Sequence, residues 1–395
     1  MTSSIKSKRI ESIDILRGLV MVIMALDHVR DYFHLNGFIY DPTNLDTTTP
    51  ELFFTRFITH FCAPVFIFLS GTSAFLYGRN KSKGDLSKFL FTRGLWLVFV
   101  EIVIMNFLWW FDPSFGFINL QVIWAIGICM IVLSLLIHLP KRILLVLGLL
   151  IVFGHNFLDG ISMQGTNFNA LLWYALHQGG FVPFSQEFAM AFTYPILAWI
   201  GIIALGYCFG QLYTKDFKAV TRKKNLLFLG LSAIALFFIL RAFNIYGESN
   251  HWSQQSDLSY TIISFFNVTK YPPSLLFLFI TLGPALLFIR WVETIKNKFT
   301  DVLLVYGRVP FFYYVLHILV IHLAAMVGLE LTGGSWKQMI LTNDVFMQGK
   351  LVGYGYSLFT TYLVWIGIVI LLYFPSKAYM TYKLKNKDKW WLSYL

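Results

Sequence analysis

Long apolar runs alternate with short polar breaks along most of the chain, and many runs approach the 20 or so helical residues needed to cross a bilayer core about 30 Å thick. The pattern predicts ten spans: Ile13 to Phe33, Phe57 to Tyr77, Leu90 to Trp110, Leu120 to Leu139, Ile143 to Asn156, Phe188 to Leu212, Leu226 to Ile245, one that begins after Lys270-Tyr271-Pro272-Pro273, Val302 to Leu329, and Leu351 to Phe374. Between the fifth and sixth lies a long polar segment reaching about Glu187, with Trp173, Tyr174, His177 and a Gly179-Gly180 break. It is too long for a simple connection and reads as functional. No internal repeat of the kind that marks many transporters is evident.

The basic residues orient this pattern. Lys6, Lys8 and Arg9 precede the first span; Arg79, Lys81, Lys83, Lys88 and Arg93 follow the second; Lys141 and Arg142 follow the fourth. Lys215, Lys218, Arg222, Lys223 and Lys224 follow the sixth, Lys296 and Lys298 the eighth, and Lys377, Lys383, Lys385, Lys387 and Lys389 the last. Ten spans with both termini cytoplasmic put every dense cluster on one side, leaving Lys337 and Lys350 in an outer loop. The expected fold class is therefore an all-α polytopic membrane protein. Residues 1–395 form one transmembrane domain, with 1–12 a cytoplasmic segment and 376–395 a basic cytoplasmic tail.

Composition agrees: 57% of residues are hydrophobic and 13% charged, far from a soluble balance. The net charge of +11 argues for nucleic acid only in a soluble chain, and here the cations sit in short loops. Nucleic-acid binding is not expected. Cys62, Cys129 and Cys208 lie in apolar runs and imply no disulfide framework. The first apolar run passes straight into Asp27, His28, Arg30 and Asp31 without a small-residue cleavage site, so it reads as a retained span.

That first span carries the candidate chemistry, because ionisable groups at membrane depth are costly and mark function by default. Arg17 and His28 are eleven residues apart, about three turns plus 20°, so they share a face and lie roughly 16 Å apart along the axis. Arg17 either snorkels to the headgroups or clamps a phosphate of a ligand entering from the cytosol. His28 has a pKa suited to taking a proton from an attacking amine or hydroxyl, and Asp31, one turn on, is placed to fix its tautomer. His60, ahead of Pro64, is either a second proton-handling group or a satisfied core histidine. Glu101, Asn106 and Gln121 read as hydrogen-bonding groups between helices. In the ninth span Arg308 is a second phosphate candidate, with His317 about 180° round the helix from it. Outside, Asn244, Tyr246, His251, Trp252 and Lys270 cluster in one loop, either holding a polar acceptor or forming an aromatic belt. No metal-ligand spacing, serine-nucleophile elbow or glycine phosphate loop appears, so no metal is expected.

Arg17, ten intervening residues and His28 resemble the Arg-to-His motif of bacterial membrane acyltransferases that modify surface polysaccharides. The opening Arg9-Ile10-Glu11-Ser12-Ile13-Asp14-Ile15-Leu16-Arg17-Gly18 is similar to the catalytic domain of the heparan-α-glucosaminide N-acetyltransferase family and its bacterial branch. Further blocks resemble that branch: Phe61 to Ala74, Lys270 to Gly283, and Gly307 to His322. The resemblance implies acyl transfer, acetyl first, from cytosolic acyl-CoA as co-substrate to an amine or hydroxyl of a glycan or aminosugar across the inner membrane of a bacterium. It leaves the essential histidine open between His28 and His34. On this reading Arg17 and Arg308 hold CoA phosphates, His28 is general base or transient acyl carrier, and Asp31 orients it. His34 or His60 handles a second proton, and Trp173, Asn244, Tyr246, Trp252 and Lys270 contact the acceptor. Oligomer formation stays open. The rival reading is a proton-coupled transporter or flippase built from the same charged stripe.

Overall fold

The computed structural model describes residues 10–342, 351–386 and 388–393. Lys6, Lys8, Arg9, Lys350 and Lys387 lie outside the described residues. Helix α1 is Glu11–Phe33. Helices α2 (Pro50–Thr59) and α3 (Cys62–Gly78) follow as one apolar segment of 29 residues, broken only at His60 and Phe61. Helix α4 (Lys83–Phe99) continues through a π-helical stretch, Val100–Met105, into α5 (Asn106–Trp110). Strand β1 (Phe117–Leu120), α6 (Val122–Leu136) and α7 (Lys141–Gly154) come next. The long segment holds α8 (Phe168–Trp173), β2 (Gly180–Pro183) and β3 (Ala189–Phe192). Then follow α9 (Leu197–Phe209), α10 (Ala219–Ala242), α11 (Leu258–Phe266), α12 (Leu275–Val292), α13 (Lys298–Arg308), α14 (Pro310–Leu331) and α15 (Leu358–Lys385).

Polar side chains start many of these helices. Ser82, Ser274 and Ser357 each accept a hydrogen bond from a first-turn amide, and Asn297 with Thr300 forms a reciprocal capping box. Seven helices among the described residues are long and apolar enough to cross a membrane, and the two shorter apolar segments are Val122–Leu136 and Leu197–Tyr213. The chain is an integral multi-pass membrane protein. Helix α1 is not among the seven, and its charges explain why: Asp14, Asp27 and Arg30 are buried within the bundle. It is also the hub, touching α2, α3, α12, α13, α14 and α15.

Four expectations need correction. The chain is mostly helical but not all-α: β3 pairs in parallel with β1 and antiparallel with β2, giving the order β1-β3-β2. The expected sixth span accordingly begins at Leu197, because a short apolar run such as Ala189–Phe192 does not declare helix or strand by periodicity. The expected ninth span is two helices: α13 stops at Arg308, Val309 leaves the helical region at φ −132° and ψ 47°, and Pro310, which has no amide hydrogen, opens α14. The last helix starts at Leu358, not Leu351, and runs on to Lys385, since hydropathy measures the bilayer and not the length of a helix that leaves it.

Two crossings need glycine. A β-carbon at Gly18 would sit 1.9 Å from the Leu303 carbonyl oxygen, and one at Gly307 would sit 1.8 Å from that of Asp14. Backbone therefore touches backbone where α1 meets α13. Gly71 and Gly206 allow the same close approach between α3 and α9, where an added β-carbon at either would run into a carbonyl oxygen of the facing helix.

Candidate functional site

The close crossing of α1 and α13 positions Arg17. Its guanidinium donates to Asp14 Oδ1 at 2.9 Å, to Ser73 Oγ at 2.9 Å and to the Gly307 carbonyl at 3.3 Å. So anchored, it lines a cavity together with Ser70, Arg93, Met130, Pro310 and Phe311. The cavity encloses about 640 Å³, open space at its mouth included. Two guanidiniums thus face one apolar-walled opening, which suits a phosphate-bearing ligand with an apolar arm.

Further along α1 a second cavity, about 590 Å³ on the same measure, is lined by Asp27, His28, Arg30, Asp31, Arg56, Gln121, Tyr194, Lys270 and Tyr271. Phe66, Val122 and Tyr314 line both cavities, so the two abut end to end. The eleven-residue spacing read from the sequence here becomes a guanidinium in one chamber and an imidazole in the next.

In the second chamber Asp27 accepts from Arg30 at 3.1 Å and, through its other oxygen, from Arg56. Arg30 also donates to Asp31 at 2.6 Å. Three cations, Arg30, Arg56 and Lys270, stand against two carboxylates, an excess of one positive charge in a space walled by Trp109, Tyr194 and Tyr314. Such an excess stabilises a developing oxyanion.

The protonation of His28 follows from its neighbours. His317 Nδ1 lies 3.1 Å from the Tyr313 carbonyl, which only accepts, so that nitrogen carries the hydrogen. In the neutral ring Nε2 of His317 then bears a lone pair. His28 Nδ1, 2.6 Å away, must donate to it, which leaves the lone pair of His28 on Nε2. His28 is only partly buried and lines the cavity, and its ring is braced edge-on by Trp109 at 4.9 Å and by Tyr314 at 6.3 Å. The geometry is that of an imidazole oriented by a hydrogen-bond partner, an arrangement an acid-base site can use.

Asp31 is therefore not the orienter of His28: it is committed to Arg30, and His317 does that work. Nor does Arg308 join Arg17. Its Nη2 is 3.9 Å from Glu11 and it is in neither chamber lining; Arg93 of α4 shares the first chamber with Arg17 instead. His34 ends α1 beside Tyr356, and His60 is buried against Phe57 and Phe277; neither lines either of the two chambers. Of the loop residues expected at an acceptor, Lys270 lines the second chamber. The others hold loops together: Asn244 and Trp252 bond each other's backbone and side chain, Tyr246 donates to the Phe153 carbonyl, and Trp173 donates to the Ile161 carbonyl. Glu101 bonds between helices, accepting from the Trp124 amide of α6 at 2.9 Å, whereas Asn106 accepts from the Asn119 amide of strand β1 at 2.7 Å. Cys62, Cys129 and Cys208 are free.

Residues 9–241 match the family model described as heparan-alpha-glucosaminide N-acetyltransferase, catalytic. The chain belongs to that family. No curated protein sequence gives a significant match. The matched stretch covers more than half the chain and contains Arg17, His28, Arg56 and Arg93. Lys270, Tyr271, Tyr314 and His317 lie beyond it, as do the resembling blocks Lys270 to Gly283 and Gly307 to His322, yet Lys270, Tyr271 and Tyr314 line the chambers and His317 bonds His28. As a member of a heparan-α-glucosaminide N-acetyltransferase catalytic family, the chain is a membrane protein of acetyltransferase type.

Arg93, Arg56 and His317 are the site residues that sequence reasoning missed. Arg93 reads as a topology signal, and His317 falls in the same apolar run as Arg308, whereas its partner comes from α1. Arg56 carried a signal: it is a cation in an apolar segment, four residues before His60.

Proposed function

We propose that the protein transfers an acyl group, acetyl first, from cytosolic acyl-CoA to an amine or hydroxyl of a glycan or aminosugar on the far side of a bacterial inner membrane. The observation that carries this is the pair of abutting chambers along α1, with two arginines in one and the lone pair of His28 in the other. Arg17 and Arg93 hold the phosphates. The pantetheine arm runs past Phe66, Val122 and Tyr314 and places the thioester carbonyl beside His28 and Lys270. His28 Nε2 removes the proton from the acceptor amine or hydroxyl as that atom attacks the carbonyl. The positive excess around Lys270 and Arg56 steadies the tetrahedral oxyanion, and the imidazolium returns the proton to the departing CoA thiolate. The products are the acylated acceptor and CoA-SH.

The matching topology is ten spans in one domain over residues 1–395: α1, the seven long segments and the two shorter ones. Both termini are cytoplasmic, which puts the first chamber toward the cytosol and the second toward the acceptor. No metal enters this chemistry.

The test is release of CoA from acetyl-CoA by purified protein in detergent with a panel of aminosugars, the wild type against His28→Ala. Acceptor-dependent CoA release that vanishes in the variant is the expected result. Transport of a solute under a proton gradient with no thioester consumed returns the chain to the transporter reading.

A further inference from the structure

The end of α7 and the segments after it bring three side chains together: His155, Asp159 one turn on, and the distant His177. One ring nitrogen from each histidine and one carboxylate oxygen all lie within 4.8 Å of one another. His177 Nε2 is 2.9 Å from Asp159 Oδ1. The other oxygen, Asp159 Oδ2, accepts from Asn156 Nδ2 and from Ser249 Oγ, each at 2.8 Å. One oxygen is thus tied down and the other is aimed at the two rings, the pattern in which outer hydrogen bonds orient a metal ligand.

His155 separates this cluster from an ordinary ion pair. The contact between His177 and Asp159 accounts for those two residues alone. His155 is only 2% exposed, and neither of its ring nitrogens has a hydrogen-bond partner among the described residues. Buried polar groups are otherwise nearly always bonded, so an imidazole with both nitrogens unmet and one directed at a histidine and a carboxylate calls for a ligand.

We propose that His155, Asp159 and His177 bind a divalent transition metal, zinc first, with water in the fourth position. Two imidazoles and one carboxylate form a donor set that zinc takes readily, whereas magnesium and calcium prefer oxygen alone. A tetrahedral zinc with bonds of about 2.0–2.1 Å spaces its ligands roughly 3.3 Å apart, so the three side chains close inward on the ion. The metal takes the place of the proton between His177 and Asp159 and gives His155 its missing partner. It staples the end of α7 to the π-helical stretch Tyr174–Gln178 and, through Ser249, to the loop after α10. None of the three residues lines the chambers around Arg17 and His28, so this site is separate from the proposed transfer chemistry.

The experiment uses the full chain in detergent with its purification tag removed, stripped with chelator and then titrated with zinc chloride by calorimetry, with metal content measured by mass spectrometry. One zinc per chain is expected, with a melting temperature raised by the metal. His155→Phe fills the buried space with an apolar ring and removes a ligand; it should lose zinc binding. Asp159→Asn should do the same, which keeps the test decisive if the phenylalanine variant does not fold. Ser249→Ala leaves all three ligands and should weaken zinc about tenfold. Substoichiometric zinc in the wild type, or undiminished affinity in both His155→Phe and Asp159→Asn, overturns the proposal.

Discussion

His28 and its neighbours are where single side chains decide the outcome. Removing a positioned base typically costs about 10² to 10⁴ in rate. His28→Ala should lose transfer by that factor while binding acyl-CoA normally and staying folded, and His34→Ala should keep most activity, since His34 lines neither chamber. A dead His34→Ala beside an active His28→Ala would reverse the assignment. His317 acts through one hydrogen bond to His28. A neutral hydrogen bond is worth about 1 kcal/mol, so His317→Ala should slow transfer about five-fold or more with CoA affinity unchanged, and His317→Gln, which keeps an acceptor, should recover part of the loss. Equal loss in both variants would make His317 a packing residue. Asp27 is a different case, because it neutralises Arg30 and Arg56 inside the bundle. Stripping one partner from a buried ion cluster costs about 3–5 kcal/mol, so Asp27→Asn should lower thermal stability in detergent before any question of catalysis arises.

Among the elements, the crossing of α1 and α13 shapes the chamber proposed for the donor. Arg17 reaches the Gly307 carbonyl only because two glycines let the backbones touch. Gly307→Ala must push the helices apart, at a cost of about 1–3 kcal/mol for an overpacked contact, and should weaken acyl-CoA binding along with stability. The two effects should appear together in a melting curve and a binding isotherm on the same sample. A variant as stable and as tightly binding as the wild type would show that the crossing does not shape the chamber. Arg17→Lys probes the same place without moving backbone. It keeps the charge but loses the fork, so weaker CoA binding with unchanged stability separates phosphate contact from snorkelling.

For the whole molecule, the proposed topology predicts that reporters fused after Lys385 and near Trp252 lie on opposite sides of the membrane. Matching signals at the two positions would sink it. The alternation of apolar runs located most helices, because an apolar segment of bilayer length has few other uses. It failed where local chemistry outweighed hydropathy: at Pro310, which divides one run into α13 and α14, and at Ala189–Phe192, which pairs with β1 at a distance in sequence.

The chain by itself determined that the protein is built of membrane helices and that α1 carries an unusual set of charges, since charges in an apolar span are expensive enough to be read directly. It also placed Arg17 and His28 on one face, because helical periodicity is a local property. Only the tertiary structure decided the partners. His317 for His28, Arg56 for Asp27 and His177 for Asp159 are contacts between elements, and Arg93 shares a chamber with Arg17 from another helix; spacing within one element carries no information about which face of a distant helix will meet it.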